Sequence, residues 1–556
     1  MKSKNIETAY PLSPMQEGML FHTIYAPESG MYFEQLSCTI KGNFNVSAFQ
    51  QAWQQVLDRH PALRTAFVWD KIEKPLQVVG RRVSLPWQQF DWRGLSSVEQ
   101  QEKLEAFLQA DRKRGFQLFK APLMRLTGLQ MDKDIYEFIW SFHHLLLDGW
   151  SLSSVLKEAF AFYEAFCQGQ DLYLKRSRPY QDYIAWLQQQ DLSKAEAFWR
   201  LTLKGFTAPT PLGGDRASGR SIGEGQSYAE QKIQLSIGTT AALQSLARKH
   251  QLTLNTLVQG AWVLLLNRYS GQEDVVFGAT VSGRPAELPG VESMVGLFIN
   301  TLPIRVQVSP TTSLLDWLQQ LQVQQVELRQ YEYSSLVQVQ GWSDVPRGLP
   351  LFESIVVFEN YPVDASLQKQ GSSLEIGNVR GFERTNYPLN LVARPGAELL
   401  LELSYDCRRF DAATIEGMLK HLETLLEGII ANPSQRLSDL RMLTQNELHT
   451  LLVEWNDTRV DYPRDLCIHQ LVEAQVAGTP DAVAVVFEDG ELTYEELNRR
   501  ANRVAHYLRS LNVGPDTLVG ICVEQSVEMI VGLLGILKAG GAYVPLDPAY
   551  PPERLG

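Results

Sequence analysis

The chain has 556 residues, 44% of them hydrophobic and 21% charged. That is an ordinary globular composition, too long for one core, so about two to four domains are expected. A net charge of -12 argues against a nucleic-acid surface and offers nothing to an anionic membrane.

The longest apolar runs, such as Ala261-Trp262-Val263-Leu264-Leu265-Leu266, fall far short of a membrane span. The first residues, Met1 to Glu7, lack the apolar core of a signal peptide. Five cysteines without CxxC spacing suit a reducing, cytoplasmic setting better than a disulfide framework or a zinc site.

Read in order, the Pro-rich entry Ala9-Tyr10-Pro11-Leu12-Ser13-Pro14 leads into a short amphipathic run ending at His22, locally a helix entrance. Phe49, Trp53, Val56 and Leu57 form a helical stripe that ends at Arg59-His60-Pro61, because proline cannot continue a helix. His60 reads as a helix-end cation, and Arg64 as a buried guanidinium that needs a carboxylate partner. Ile135-Tyr136-Glu137-Phe138-Ile139-Trp140 is β-branched and aromatic, a strand buried on at least one face. Leu152, Val155, Leu156, Ala159, Phe160 and Tyr163 recur at helical spacing, predicting a helix over about 152–168.

Between strand and helix lies Ser141-Phe142-His143-His144-Leu145-Leu146-Leu147-Asp148-Gly149-Trp150-Ser151, around which the rest is organised. Side chains alternate along a strand, so His143 and His144 face opposite ways and only one meets a reaction site in a simple way. Asp148-Gly149 supplies the turn, with Gly149 tolerating positive φ and bringing its N–H close to a ligand. One base, one buried carboxylate and one exposed amide suit acyl transfer. Taken alone, a histidine pair after an apolar strand is more often core polar structure than a catalytic base.

Further on, Tyr180 to Trp186 is an aromatic packing segment, and the Gly-, Ser-, Thr- and Pro-rich stretch from Thr202 to Tyr228 reads as a surface connection between two lobes. Leu254, Leu257, Val258, Ala261, Trp262 and Leu265 mark a helix, and Val275 to Val281 a buried strand running into Ser282-Gly283-Arg284-Pro285. Arg284 has an apolar strand behind it, so its charge needs a partner. Val295 to Arg305 reads as a central strand in which Gly296 admits close backbone approach. Glu454 to Thr458 and Tyr462-Pro463 read as an interdomain linker.

The spacing His143-His144-x-x-x-Asp148-Gly149 resembles the acyltransferase motif of non-ribosomal peptide synthetase condensation domains. The Met15-Gln16-Glu17-Gly18 opening, Arg59-His60 with Leu63-Arg64-Thr65, Tyr180 to Trp186, and Val295 to Arg305 are similar to further motifs of that family, in the same order. Val356-Val357-Phe358-Glu359-Asn360-Tyr361-Pro362 and Thr385 to Leu389 look like its late segments, whereas Tyr331-Glu332-Tyr333 departs from the expected His/Asn-Gln-Asp-like pattern. Leu492 to Leu497 and Leu537 to Asp547 resemble the first two motifs of an adenylation domain. Its Gly-rich phosphate loop is absent from these residues, so no adenylation is expected.

The resemblance implies a mixed α/β (α+β) fold of two chloramphenicol-acetyltransferase-like lobes in a V around a tunnel, followed by a partial α/β adenylation subdomain. The expected divisions are 1–175, an N-lobe; 176–445, a C-lobe; 446–470, a linker; and 471–556, the start of an adenylation domain. The implied reaction joins a donor peptidyl or aminoacyl thioester to the α-amine of an acceptor aminoacyl thioester. Both are carried on 4'-phosphopantetheine arms of partner carrier proteins, and this chain binds no cofactor or metal itself.

His144 is the expected base or orienting group and Gly149 the amide donor. His143, Asp148, Arg284, Arg64, Trp150 and Ser151 support the site, with Arg284 assigned to Asp148 by resemblance. Asn300, Thr301, Glu359 and Asn360 are expected along the substrate tunnel. No Ser or Cys nucleophile is required, so no covalent enzyme intermediate is expected. The opening motif and the Phe358-Glu359-Asn360-Tyr361-Pro362 segment lean toward a D-configured donor and an L acceptor. The short N-terminal lead suggests a donor carried on a separate polypeptide, and the chain is expected to be a monomer that works with the remainder of an adenylation domain. A free-standing acyltransferase, an epimerisation-type enzyme of the same fold and a non-catalytic docking module remain the alternatives.

Overall fold

A computed structural model of the chain describes residues 5–213, 228–360, 374–488, 490–551 and 553. Tyr361 and Pro362, and most of the Thr202–Tyr228 connection, lie outside the described residues. The chain divides into two compact units, residues 1–448 and 449–556. Among the described residues, no helix is long and apolar enough to cross a membrane.

The strands of the first unit are β1 (Ile6–Pro11), β2 (Phe33–Gly42), β3 (Thr65–Val68), β4 (Leu76–Gly80), β5 (Trp87–Asp91), β6 (Met124–Asp132) and β7 (Ile135–His143). They continue with β8 (Tyr228–Gln234), β9 (Asp274–Val281), β10 (Asn300–Gln307), β11 (Ser354–Phe358), β12 (Leu374–Phe382), β13 (Leu389–Arg394) and β14 (Leu400–Asp406). They form a five-stranded sheet ordered β12-β2-β7-β6-β5, a six-stranded sheet ordered β10-β9-β11-β13-β14-β8 and a small β1-β4-β3 sheet. The architecture is the expected mixed α/β one, with two lobes each built on its own large sheet.

In the first lobe, the helix Val46–Arg59 buries Phe49, Ala52, Trp53, Val56 and Leu57, the i, i+3, i+4 stripe that its sequence shows. It packs beside the helix Gly149–Cys167 on the sheet, where Trp53 meets Trp140 at 4.7 Å and Phe49 meets Phe138 at 5.1 Å between ring centroids. Such edge-to-face aromatic pairs add to plain area burial. Strand β7 is buried along all but its first residue, so it shows no alternation and reads as a nearly continuous apolar run.

The second lobe buries Thr256 to Leu266 of the helix Leu254–Ser270 without interruption. Together with the helix Ala412–Ala431 it joins the β9, β13 and β14 side chains in one core. One strand is exchanged between lobes. β12 leaves the second half of the chain and pairs antiparallel with β2, from Leu374 opposite Gly42 to Phe382 opposite Gln35. Sequence order and lobe membership therefore part company here, and the residue after β12 is delivered to the edge of the first sheet.

The described residues of the second unit are built on β15 (Val483–Phe487) paired with β16 (Gly490–Thr493), β17 (Leu518–Ile521) paired with β18 (Ala542–Pro545), and the α-helices Ile468–Gly478, Tyr494–Ser510 and Val527–Ala539. Thr493 caps the helix Tyr494–Ser510 through a capping box with Glu496, which satisfies two end amides. Leu492, Leu497, Ala501, Val531 and Leu534 form its small core.

Candidate active site

The central stretch folds as a strand end, one tight turn and a helix start. β7 ends at His143, His144–Leu146 form a single 3-10 turn, and Asp148 caps the helix Gly149–Cys167 by accepting from Ser151 N at 2.8 Å. Gly149 is the first residue of that helix and has no positive φ. The expectation that it supplies a left-handed turn is thus corrected: the reversal is made by the 3-10 turn, and Gly149 sits where helix amides lack intrahelical partners.

The two histidines are held as opposite tautomers. His143 Nδ1 accepts from Leu145 N at 3.2 Å, so its proton is on Nε2, which lies 3.3 Å from Thr23 Oγ1. His143 is 3% exposed, and burial, with a smaller push from His144, lowers its pKa to about 3. It is a neutral wedge behind the site.

His144 Nδ1 lies 3.0 Å from the Leu147 carbonyl oxygen. A carbonyl only accepts, so Nδ1 carries a proton, and in the neutral tautomer this selects it is the Nε2 lone pair that is left free. That nitrogen faces a cavity of about 150 Å³. The divergence of the pair arises from the turn that begins at His144 as well as from strand alternation.

Asp148 and Arg284 join the lobes beneath this cavity. Arg284 Nη2 donates to Asp148 Oδ1 at 3.2 Å and to Ser151 Oγ at 2.9 Å. Its Nη1 donates to the carbonyls of Val291 at 2.5 Å and Met294 at 3.0 Å. Asp148 Oδ2 accepts from Phe298 N at 3.0 Å, and Ser151 Oγ donates to Gly296 O at 2.8 Å. Gly296 packs so closely on Tyr180 that a Cβ there would lie 2.2 Å from the ring. The loop that carries His144 is therefore fixed against the second lobe by one buried ion pair and a group of backbone bonds.

The first lobe lines the cavity with Glu34, Phe142, His144, Gly149 and Trp150, and the second with Thr280, Ser282, Arg284, Glu359 and Asn360. Trp150 is held by donation of its indole N–H to Glu292 O at 3.0 Å. Glu359 pairs with Arg394 at 2.7 Å.

Three predicted residues lie elsewhere. Asn300 donates to the carbonyls of Glu332 at 2.8 Å and Ser334 at 2.7 Å, and Thr301 N is held by Asn300 Oδ1. Both are buried at the start of β10 and do not line the cavity. Arg64, at the end of the 3-10 turn Pro61–Arg64 that leads into β3, is buried and pairs with Glu7 of β1 at 2.7 Å.

Sequence reasoning missed Glu34 and Glu383. Glu34 sits on β2 opposite Phe142, and Glu383 follows β12 directly. His144 Nε2 is 3.8 Å from Glu383 Oε1, and one ligand-type atom from each of Glu34, His144 and Glu383 lies within 4.8 Å of the others. The three are close enough to share one cation. A lone acid inside the apolar strand Phe33-Glu34-Gln35-Leu36 was the available signal for Glu34; for Glu383 there was none.

A family model described as Condensation domain matches residues 6–452, and one described as AMP-binding enzyme matches residues 472–556. A component of the linear gramicidin synthase of Brevibacillus parabrevis is 51% identical over 554 residues, covering 100% of this chain and 7% of that protein. Bacitracin synthase 3 of Bacillus licheniformis is 40% identical over 560 residues, covering 100% of this chain and 9% of that protein. The chain thus spans a small fraction of these relatives. Among solved structures, a four-domain nonribosomal peptide synthetase bound to AMP and glycine superposes with a TM-score of 0.75 at 21% identity, over 99% of this chain and 42% of that one. The starter condensation domain of rhizomide synthetase superposes with a TM-score of 0.67 at 19% identity, over 78% of this chain and 98% of that one. At these identities the superpositions speak for the fold.

Proposed function

The chain belongs to the condensation-domain family, and from that premise we propose that it forms an amide bond between two carrier-bound thioesters. The acceptor's α-amine attacks the donor's thioester carbonyl in the cavity between the lobes. Both groups arrive as substrates on phosphopantetheine arms of carrier proteins. The chain works in the cytoplasm beside the remainder of an adenylation domain.

The observation that carries this reading is the His144 ring. Its Nδ1 proton is committed to the Leu147 carbonyl, which leaves the Nε2 lone pair directed into the cavity. A free α-amine has a pKa near 8, and its nitrogen sheds a proton as the C–N bond forms; Nε2 is placed to take it. The Gly149 N–H, at the head of the helix Gly149–Cys167, lacks an intrahelical partner and sits at the positive end of the helix dipole. As a donor to the developing oxyanion it would contribute about 2–4 kcal/mol. Asp148, Arg284 and Ser151 hold the loop in place, and His143 backs it from the core. The Met15-Gln16-Glu17-Gly18 opening supports a D-configured donor and an L acceptor.

Intact-mass spectrometry of two loaded carrier proteins tests the reading, with D- and L-terminated donors in parallel. Wild type should form the dipeptidyl product, faster with the D donor, and His144→Ala should fall by about a hundredfold or more. Equal rates for wild type and variant would remove His144 from the chemistry. A faster L donor would overturn the stereochemical reading.

A further inference from the structure

We propose that Glu34 is a second catalytic residue, the carboxylate that takes the first proton from the acceptor's ammonium group so that His144 is free to take the second. The inference rests on the amide-forming reading above and deepens it.

An acceptor that enters in its protonated form calls for a second proton acceptor beside His144. An amine with a pKa near 8 enters at neutral pH mainly as an ammonium, whose nitrogen must lose two protons before it becomes an amide nitrogen. If His144 took the first, it would be an imidazolium with no lone pair for the second. In the proposed sequence the ammonium passes one proton to the Glu34 carboxylate, leaving a neutral amine and a carboxylic acid. The amine attacks the thioester carbon, the C–N bond forms, and the carbonyl π pair moves onto oxygen. His144 Nε2 takes a proton from the nitrogen of this adduct. The C–S bond breaks as the oxygen pair returns, and the leaving thiolate receives the His144 proton. Glu34 returns its proton to solvent after product leaves, so one proton is released per bond made.

The geometry supports this division. Glu34 lines the same cavity as His144, and Glu34, His144 and Glu383 each offer an atom within 4.8 Å of the others. A nitrogen placed among them therefore lies within hydrogen-bond reach of both acceptors. Glu34 Oε1 is enclosed and has no hydrogen-bond partner among the described residues, a costly state for a buried polar atom unless a ligand satisfies it.

The charged and titratable groups facing it are His144, Glu383 and Glu359, with Asp148 further along the cavity wall. The cations nearby are committed: Arg284 to Asp148, and Arg394 to Glu359 and Glu402. The opening left for a cation suits a substrate ammonium. Burial, reinforced by the Glu383 and Glu359 carboxylates, holds the Glu34 carboxyl well above the usual carboxylate range. Proton transfer from ammonium to carboxylate also removes two charges from a poorly solvated space.

The test uses the full chain, a fixed donor and two acceptor carriers, one loaded with alanine and one with trifluoroalanine, whose amine is largely unprotonated at pH 7. With the alanyl acceptor, Glu34→Gln should be slower than wild type at pH 7, by up to about tenfold, since only about one amine in ten is then neutral. It should approach the wild-type rate near pH 9, and it should match wild type at pH 7 with the trifluoroalanyl acceptor. His144→Ala should stay slow in every condition.

Glu34→Asp carries the same comparison if the glutamine variant fails to fold, and it should recover part of the pH 7 rate. A loss that is equal at all pH values and with both acceptors, or no loss at all, would overturn the role. Absence of product from wild type would instead overturn the amide-forming reading on which it depends, and the wild-type arm separates the two failures.

Discussion

At the level of single residues, the site depends on committing hydrogen bonds so that one atom stays uncommitted. His144 gives its Nδ1 proton to Leu147 O at 3.0 Å, and that bond leaves Nε2 free for substrate. Arg284 does the opposite, spending its guanidinium on four partners: Asp148, Ser151, Val291 and Met294. The side chains of Asp148 and Arg284 are 1% and 6% exposed, so the pair is buried and removing one partner strands the other charge. Arg284→Ala should destabilise the first unit by about 3–5 kcal/mol in urea unfolding. Arg284→Lys should restore little of this, because an ammonium cannot span the forked set of acceptors. A loss below about 1 kcal/mol in Arg284→Ala, the range of an exposed pair, would show that the pair does not hold the lobes together.

At the level of elements, the buried end of β7 sets a pH dependence. His143 has a folded-state pKa of about 3 against its ordinary 6.5, chiefly because it is buried. Between those values the unfolded chain binds a proton that the native fold refuses, so stability falls as pH drops from about 6.5 toward about 3. The slope from this group approaches about 1.4 kcal/mol per pH unit. Urea unfolding at pH 6.5 and pH 5.5 should show wild type losing about 1 kcal/mol more than His143→Gln; equal losses would refute this.

Strand β7 and the helix after it were legible because each carries its own hydrophobic pattern, although the helix begins at Gly149 rather than near 152. The Asp148 cap, which periodicity does not detect, sets the boundary. β12 was not legible. It is largely exposed, with only Leu374 buried, and an edge strand of that kind leaves no alternating signal.

For the molecule as a whole, residues 1–448 and 449–556 each have their own core. Cutting the chain after Leu448 should therefore leave a folded first unit whose amide-forming rate is unchanged in the two-carrier assay; loss of that rate would mean the second unit contributes to the reaction.

The sequence by itself determined the mixed α/β class and the covalent order His143-His144…Asp148-Gly149, because hydrophobic periodicity and turn chemistry act over a few residues. It also indicated that Arg64 and Arg284 need carboxylate partners, since a buried guanidinium cannot stand alone. Only the tertiary structure decided which atoms meet across the cavity. β2 and the exchanged β12 bring Glu34 and Glu383 beside His144, while Asn300 and Thr301, inside the Val295–Arg305 motif segment, are turned away to satisfy carbonyls at Glu332 and Ser334 and the backbone at the start of β10. Those placements follow from strand pairing between distant segments. The energy of that pairing belongs to the assembled sheets, and no local stretch of sequence records it.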